Sequence, residues 1–331
     1  MEIAPSAARF LRRFATASGV ELHVHLEGAV SAAALVRLSS RSPAPIFPDL
    51  ASVRARRRAL GSPDAFFSFY RDICRQIRSA ADYALVARAL TARLARERIR
   101  HAEVYVSPAV AEKLGLDWLE VRAALEPVFA AHEAARRGRI VVLLDVVRHW
   151  GAASAARVLD LHERDPWRRV RGFGLGGDEA AFPARDFAGA FRRARRLGLM
   201  PVAHAGEWAG PDSVAETLDQ LSPVRIAHGI RAAEDAALLR LLARRGVVCD
   251  VCPTSNIATG AVPEGAAHPV RALLAAGVPV TLSTDDPGIF GTTLRKEYRR
   301  VAAWGATGAE LALCARTARQ AAERTLSYSA R

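Results

Sequence analysis

The chain has 331 residues, of which 50% are hydrophobic and 24% charged, the balance of a folded globular protein with a large core. It contains no run of about 18 apolar residues, so the sequence predicts no membrane span. Residues 1–20 carry Arg12 and Arg13 in a short amphipathic stretch without the long apolar core of a secretory signal, so we expect a cytoplasmic protein.

The formal net charge of +13 raises nucleic-acid binding as a function to consider. Nearly all of the positively charged side chains are arginines, because Lys113 and Lys296 are the only lysines. Arginines at 56–58, 136–139 and 192–196 punctuate alanine-rich helical segments, and no aromatic platform lies beside them. We therefore interpret them as solvated helix faces and predict no nucleic-acid partner.

Short apolar runs alternate along the chain with longer segments of helical periodicity, such as 118–134 and 186–197. The predicted strands, in chain order, are 21–25, 101–106, 140–147, 170–175, 200–204, 225–228, 247–252 and 278–283. Such alternation is typical of parallel βαβ units, and eight units predict an α/β fold, a TIM (β/α)8 barrel, as a single domain over residues 1–331. A doubly wound open sheet is the alternative, but no G-x-G-x-x-G turn follows the first strand.

The connection between the first and second predicted strands is much longer than the others. Helical patterns occur in it at 31–39 and 65–77. Because long insertions in a barrel usually serve the active site, we expect residues 31–97 to form a helical lid over the pocket.

Polar residues collect at the predicted carboxyl ends of the strands, where TIM barrels place their active sites. His23 and His25 share one face of the first strand, His204 ends the fifth, and Asp285 follows the eighth. Imidazole nitrogen and carboxylate oxygen are zinc ligands, so these four residues predict a metal site. The same end of the barrel carries further candidates, which are Glu207, His228, Asp286 and the turn at 174–179.

Two other patterns are similar to metal or redox motifs. Cys249 and Cys252 form C-x-x-C, but we place both on one buried strand, where side chains three apart point to opposite faces. His101 and Glu103 match the H-x-E of cytidine deaminases, which also need P-C-x-x-C, whereas the order here is C-x-x-C-P. We therefore expect neither a redox pair nor a second metal site. The remaining histidines are interpreted as structural or surface residues: His132, His149, His162 and His268.

Five motifs occur in a characteristic order: ELHVHLEGA at 21–29, AHAGE at 203–207, IAHG at 226–229, VCPTSN at 251–256 and STDDP at 283–287. This set, which extends from about residue 20 to 305, resembles the adenosine deaminase family of zinc-dependent amidohydrolases. The resemblance implies a TIM barrel, in agreement with the strand count, and one zinc ion per chain held by His23, His25, His204 and Asp285. The fourth strand lacks the lysine that bridges metals in two-metal relatives, which favours a single ion.

The resemblance also implies roles around the purine. Glu207 would give a proton to purine N1 while hydroxide attacks C6, and His228 would orient and stabilise that hydroxide. Asp286 would hydrogen-bond near N7, the backbone of Gly177 would contact N3, and Glu27 stands where the family's acid meets the ribose. A carboxylic acid that acts as the proton donor must be protonated, which requires a desolvated pocket.

The choice of purine depends on departures from the usual motifs. Glu27 replaces the aspartate of typical adenosine deaminases and is shared with adenine deaminases, whose fourth strand usually ends in D-S-S-E. Here GFGLGGDE at 172–179, with EVYVS at 103–107 and FGTTL at 290–294, looks most like bacterial 6-aminodeoxyfutalosine deaminases. We therefore predict hydrolytic deamination of a purine nucleoside, either adenosine or a 5′-modified adenosine such as 6-aminodeoxyfutalosine. Free adenine is the alternative substrate, and a catalytically inactive purine-binding barrel is a third reading.

Overall fold

The computed structural model of the chain describes residues 3–14, 17 and 19–329. Predictions about residues 1–20 therefore fall partly outside the described residues, at positions 1, 2, 15, 16 and 18, and the domain prediction also includes 330 and 331. None of the helices in the described ranges combines the length and the apolar character that crossing a membrane requires.

Eight strands in the described part of the chain form a sheet in which each strand pairs in parallel with the next. They are Gly19–His25 (β1), Ile99–Val106 (β2), Arg139–Val147 (β3), Val170–Gly176 (β4), Met200–Ala205 (β5), Arg225–His228 (β6), Val248–Val251 (β7) and Val280–Leu282 (β8). A parallel bridge between Val24 and Asp285 brings the chain after β8 against β1 and closes the sheet. The predicted TIM barrel is confirmed.

The last two strands are shorter than predicted. Cys252 lies just beyond β7, because the chain turns into a helix that begins at Pro253. Pro279 precedes β8 and has no N–H to donate to a neighbouring strand, so the regular ladder starts only after it.

Sixteen α-helices lie within the same described ranges, most of them between successive strands. They are Pro5–Phe14 (α1), Ala32–Ser39 (α2), Leu50–Arg58 (α3), Pro63–Cys74 (α4), Ala80–Arg96 (α5), Pro108–Lys113 (α6), Trp118–Ala134 (α7), Gly151–Arg164 (α8), Ala188–Arg196 (α9), Pro211–Leu221 (α10), Ala236–Arg245 (α11), Pro253–Ala258 (α12), Val270–Ala275 (α13), Pro287–Phe290 (α14), Leu294–Ala303 (α15) and Gly308–Ser327 (α16). Short 3-10 helices occupy Glu27–Ala29, Arg148–Trp150, Ala184–Phe187 and Ile230–Glu234.

The long connection between β1 and β2 contains four of these helices, α2 to α5. The predicted segments 31–39 and 65–77 correspond to α2 and α4, whereas α3 and α5 were not predicted individually. Helix α5 packs against α7 in the outer ring of the barrel. Ser62 caps the amino end of helix α4, because its hydroxyl accepts a hydrogen bond from the N–H of Ala65 (3.2 Å). The first residue of the helix is Pro63, and proline is well suited to that position. Its contact with the 3-10 turn after β1 brings α4 to the carboxyl ends of the strands.

Charged side chains buried inside the barrel are paired with one another. The buried guanidinium of Arg225 lies 2.6 Å from a carboxylate oxygen of Glu103 and 2.8 Å from one of Asp250. The other oxygen of Glu103 lies 3.2 Å from Nε2 of His101. Because a charge buried without a partner is costly, this network explains the H-x-E pattern of β2 by packing inside the barrel.

Candidate active site

The side chains that end β1 and β5 and follow β8 converge on one point. Nε2 of His23 lies 3.2 Å from Nε2 of His25 and 3.1 Å from Oδ1 of Asp285, and Nε2 of His25 lies 3.3 Å from Nε2 of His204. The four donor atoms all lie within 4.8 Å of one another. Ligands placed tetrahedrally at zinc–nitrogen distances of about 2.0–2.1 Å are separated by roughly 3.3–3.4 Å, so this donor set fits a zinc ion.

The second ring nitrogen of each histidine is held by a neighbouring group. Nδ1 of His204 donates to a backbone carbonyl of β4 (2.8 Å), and Nδ1 of His25 lies 3.5 Å from a carboxylate oxygen of Asp145. Nδ1 of His23 lies 3.6 Å from Sγ of Cys252. Partners of this kind fix the ring orientation and leave each Nε2 lone pair for the metal. The sequence interpretation did not include Asp145 and Cys252 in the site.

The two cysteines of the C-x-x-C pair lie in different surroundings. All four cysteines are free and buried. Cys249 lies close to Gly229, where its Sγ would be 2.7 Å from an added Cβ, while Cys252 contacts His23. The two thiols therefore point to different parts of the structure, as predicted from their spacing of three residues.

The backbone at two of the site residues adopts a conformation that is rare outside glycine. His228 has a φ of 65° and Asp285 a φ of 61°, both in the left-handed region. Such strained positions concentrate at functional sites, where the surrounding structure compensates for them. Close packing nearby also requires glycine at position 28, because a Cβ on Gly28 would overlap the carboxylate of Asp286.

Glu207 lies at the floor of the cavity, with a carboxylate oxygen 3.4 Å from Nε2 of His228. Burial, followed by the charges of Asp285 and Glu179, raises the pKa of Glu207 well above its usual value. The surroundings of Glu207 therefore favour the protonated form of its side chain, which is the form that a proton donor requires.

A chain of three side chains determines which nitrogen of His228 carries its proton. Nδ1 of His268 accepts a hydrogen bond from the N–H of Val270 (3.1 Å), and burial lowers the pKa of His268 to about 3, so its proton resides on Nε2. This Nε2 donates to Oδ1 of Asn256 (3.3 Å), whose amide donates to Nδ1 of His228 (3.0 Å). Neutral His228 therefore carries its proton on Nε2, toward Glu207. His268 is buried and does not contact His228 directly. Its effect on His228 is transmitted through the hydrogen bonds of Asn256.

The loop that carries Glu207 is held by one buried carboxylate, that of Glu179. Its two oxygens accept five hydrogen bonds of 2.6–2.9 Å, from the N–H groups of Gly206, Glu207, Trp208 and Ala209 and from the hydroxyl of Ser213. Hydrogen bonds to an ionised acceptor are the strong ones, and a buried N–H without a partner is costly. Glu179 therefore fixes the position of Glu207.

A cavity of about 360 Å³ opens above the four candidate metal-binding atoms, within the size range of small-molecule sites. His149, interpreted from the sequence as structural or surface, lines it. The other described residues that line the cavity come from the strand ends, from α4 and from the region of α6: His25, Phe66, Phe67, Tyr70, Arg71, Cys74, Arg75, Val110, Lys113, Leu114, Asp145, Val147, Trp150, Gly176, Gly177, His204, Glu207, Trp208, His228, Asp285 and Asp286.

Residues 19–327 match the family model described as adenosine deaminase. The chain belongs to the adenosine deaminase family. It is 36% identical over 319 residues to an adenine deaminase of Sinorhizobium medicae (strain WSM419), with 91% of this chain and 93% of that protein covered. It is 35% identical over 309 residues to an aminodeoxyfutalosine deaminase of Acidothermus cellulolyticus, with 86% and 82% covered.

Two solved structures agree with the barrel. The adenine deaminase from Arthrobacter aurescens superposes with a TM-score of 0.86 at 26% identity, covering 94% of this chain and 98% of that one. An amidohydrolase from Burkholderia ambifaria with bound Zn superposes with a TM-score of 0.86 at 25% identity, covering 97% and 88%. The family resemblance inferred from the five motifs is thereby confirmed.

The two residues that the adenosine deaminase resemblance assigns to substrate binding lie in different settings. Gly177 lines the cavity. Its φ of 103° and the 3.0 Å that would separate an added Cβ from Nδ1 of His149 both favour glycine at this position. Glu27 is buried outside the cavity lining, and its carboxylate accepts hydrogen bonds from the hydroxyls of Tyr83 (3.0 Å) and Tyr70 (3.3 Å). The role of Glu27 in substrate binding stays a prediction.

Proposed function

We propose that the protein is a zinc-dependent aminohydrolase that replaces the 6-amino group of a purine nucleoside with oxygen and releases ammonia. One observation carries this proposal: four candidate metal-binding atoms and the buried carboxyl group of Glu207, whose pKa is raised, meet at the floor of a single cavity. The names of the relatives support a 6-aminopurine substrate, since they are adenine deaminases and an aminodeoxyfutalosine deaminase.

One zinc ion per chain would be held by His23, His25, His204 and Asp285, whose donor spacing fits it. A bound zinc ion lowers the pKa of water from 15.7 to about 7 and so supplies a nucleophile at neutral pH. The amidohydrolase with bound Zn that shares this fold supports the choice of metal.

The side chains of the floor then act on the purine and on the attacking oxygen. Addition of oxygen at C6 moves an electron pair onto N1, and Glu207 gives N1 its proton. The Nε2–H of His228, oriented by Asn256, donates a hydrogen bond to the attacking oxygen. Asp286 has a buried carboxylate oxygen without a partner in the described structure, which would meet the N7 side of the ring. The proton of the added hydroxyl then moves to the amino nitrogen, and cleavage of the C6–N bond forms the 6-oxo group and releases ammonia.

The extent of the cavity favours a nucleoside over the free base. Beyond the floor, the lining continues to Phe66 and Phe67 on α4 and to Leu114 and Trp150 on the opposite side. A purine seated at the floor would leave this outer part empty, whereas a sugar and its substituent would occupy it. We keep the interpretation of residues 31–97 as a lid, because α4 supplies one wall of the cavity. Adenine remains the second candidate, since the adenine deaminases are equally similar in sequence.

A substrate comparison tests the proposal. The value of kcat/KM for adenosine, 6-aminodeoxyfutalosine and adenine measures transition-state discrimination, and ammonia release reports turnover. We expect a nucleoside to be preferred. If adenine exceeds every nucleoside by about tenfold or more, the protein is an adenine deaminase. Zinc binding without ammonia release from any purine would instead support an inactive purine-binding barrel.

A matched variant tests the role of Glu207. Glutamine preserves the shape of this side chain but has no proton to give, so Glu207→Gln should retain zinc and lose turnover. The expected loss is roughly 10²–10⁴-fold, as is typical for a general acid. Near-normal turnover in this variant would remove Glu207 from the mechanism.

A further inference from the structure

We propose that the outer part of the cavity binds an anionic group, a carboxylate or a phosphate, at the end of the substrate far from the purine. Arg71, Arg75 and Lys113 would form this anion-binding wall. The inference rests on the proposed function, because it requires a purine at the floor, and it adds the charge of the substrate to that proposal.

The charged residues that line the cavity are separated by sign. The acids among them, Asp145, Glu207, Asp285 and Asp286, are all buried beside the metal-binding histidines. The arginines and lysine that line it, Arg71, Arg75 and Lys113, are exposed and come from α4 and α6 rather than from the strands. A ligand that spans the cavity therefore meets acids at the floor and cations at the opening. Such a distribution selects a negative charge at the outer end of the ligand.

The three cations lack close acidic partners among the described residues. Arg75 lies 3.9 Å from Asp72, but the closer partner of Asp72 is Arg56, at 2.6 Å. The Lys113 ammonium lies 5.8 Å from the ring centroid of Trp150, and no carboxylate contacts the Arg71 guanidinium. Some surface arginines elsewhere are paired closely, as Arg157 is with Glu112, at 2.6 Å. The cations of the cavity are therefore available to a ligand.

Two of the three cations, Arg71 and Arg75, lie on the same face of helix α4. Arg71 lies in the last turn of α4, and Arg75 is its C-cap residue, four positions later. Residues four apart lie on the same helix face, about 6 Å apart along the axis, so both guanidinium groups face the cavity. Position at a helix C-terminus alone would favour a cation through the helix dipole, but it would not direct the side chain into a cavity.

Between the floor and the cations, the cavity wall is aromatic. Phe67 packs against the rings of Trp208 and His149, with centroids 5.3 and 5.4 Å away. Trp150 lies beside Lys113 on the other wall. From its floor to its opening, the cavity wall is thus first polar, then aromatic and finally cationic. It fits a 6-aminopurine nucleoside whose 5′ substituent carries an anion, such as 5′-phosphate or an aryl carboxylate.

The test compares anionic with neutral substrates in two matched variants. The substrates are AMP, 6-aminodeoxyfutalosine with its carboxylate, the methyl ester of 6-aminodeoxyfutalosine, and adenosine. The test variant is R71Q/R75Q/K113Q. The control variant is R240Q/R244Q/K296Q, which also removes two exposed arginines four apart near a helix end and one exposed lysine, none of which lines the cavity.

We expect the ratio of kcat/KM for an anionic substrate to that for its neutral counterpart to fall about tenfold or more in the test variant, since removing each charge-assisted hydrogen bond to the anion weakens binding at least a few-fold. The ratio should persist in the control variant. Whether AMP or the aryl carboxylate shows the larger decrease identifies the anion. In the wild-type protein the ratio should also decline between about 0.01 and about 1 M salt, over which the Debye length shrinks from 30 to 3 Å.

The failure of this inference is distinguishable from failure of the proposed function. An unchanged ratio in the test variant, with adenosine or the ester still deaminated by the wild-type protein, would overturn the anion-binding wall and leave the nucleoside deaminase intact. Deamination of adenine alone by the wild-type protein would overturn both. If the test variant folds poorly, the salt dependence of the wild-type ratio decides, and a salt-independent ratio counts against the wall.

Discussion

Replacing Glu179 by glutamine should disable the proton donor without removing the metal. The amide oxygen of glutamine can take the place of the carboxylate oxygen that accepts from three successive N–H groups, beginning at Glu207. The amide NH2 then faces the N–H of Gly206 and the hydroxyl of Ser213, where an acceptor stood before. The hydroxyl can rotate and accept, but the N–H of Gly206 is left opposite another donor.

The size of the expected fall in kcat follows from the hydrogen bonds to residue 179 that the substitution weakens or removes. Each of the three retained bonds changes from charge-assisted to neutral and loses about 1 kcal/mol, and the unpartnered N–H adds about 1–3 kcal/mol. Relaxation of the loop recovers part of this total, so we expect a shift of the loop rather than unfolding of the barrel. A displacement of a catalytic group by about 1 Å costs roughly 10²-fold in rate. The expected result for Glu179→Gln is therefore a fall in kcat of about 10–100-fold.

The assay measures kcat and KM separately, together with zinc content and the pH profile of kcat. We expect KM and zinc content to stay close to those of the wild type. Removing the charge of Glu179 also lowers the pKa of Glu207, since that charge raises it, so the alkaline limb of kcat should move to lower pH. Glu216→Gln is the matched control, because this carboxylate pairs with Arg185 and accepts from the N–H of Ala184 (3.0 Å), away from the Glu207 loop. A wild-type kcat and pH profile in Glu179→Gln would refute the reasoning.

Three further predictions concern the metal, the orientation of His228 and the pH dependence of folding. The double variant His23→Ala/His204→Ala should lose zinc in elemental analysis, and retained zinc would contradict the ligand assignment. Asn256→Leu breaks the link to His228, so kcat should fall about tenfold or more with zinc retained; an unchanged kcat would show that the link is not needed. Burial raises the pKa of Glu297 from 4.5 to about 7, so the folded protein holds a proton that the unfolded chain releases. The free energy of unfolding should therefore decline, by at most about 3 kcal/mol, as pH rises from about 4.5 through about 7. Urea titrations of the wild-type protein and of Glu297→Gln at pH 5 and 8 measure this decline. An equal change with pH in the two proteins would contradict the prediction.

The sequence by itself determined the barrel and the cluster of side chains that could hold a metal ion. Both depend on local patterns: apolar runs alternate with helical periodicity, and an H-x-H spacing puts His23 and His25 on one face of a strand. In a barrel of parallel strands the carboxyl ends meet at one rim, so residues that end different strands, such as His204, are brought together by the topology alone.

Only the tertiary structure decided which groups hold those residues in place. Glu179 accepts from donors 27 to 34 positions away, and Asn256 links His228 to His268 across two different strand ends. The same is true of Arg71, whose place in the cavity depends on how α4 packs over the barrel mouth. Periodicity assigns a residue to a face of its own element, but it carries no information on which distant face packs opposite. The candidate metal site could therefore be located in the sequence, whereas the hydrogen bonds and charges that orient its surroundings depend on the folded chain.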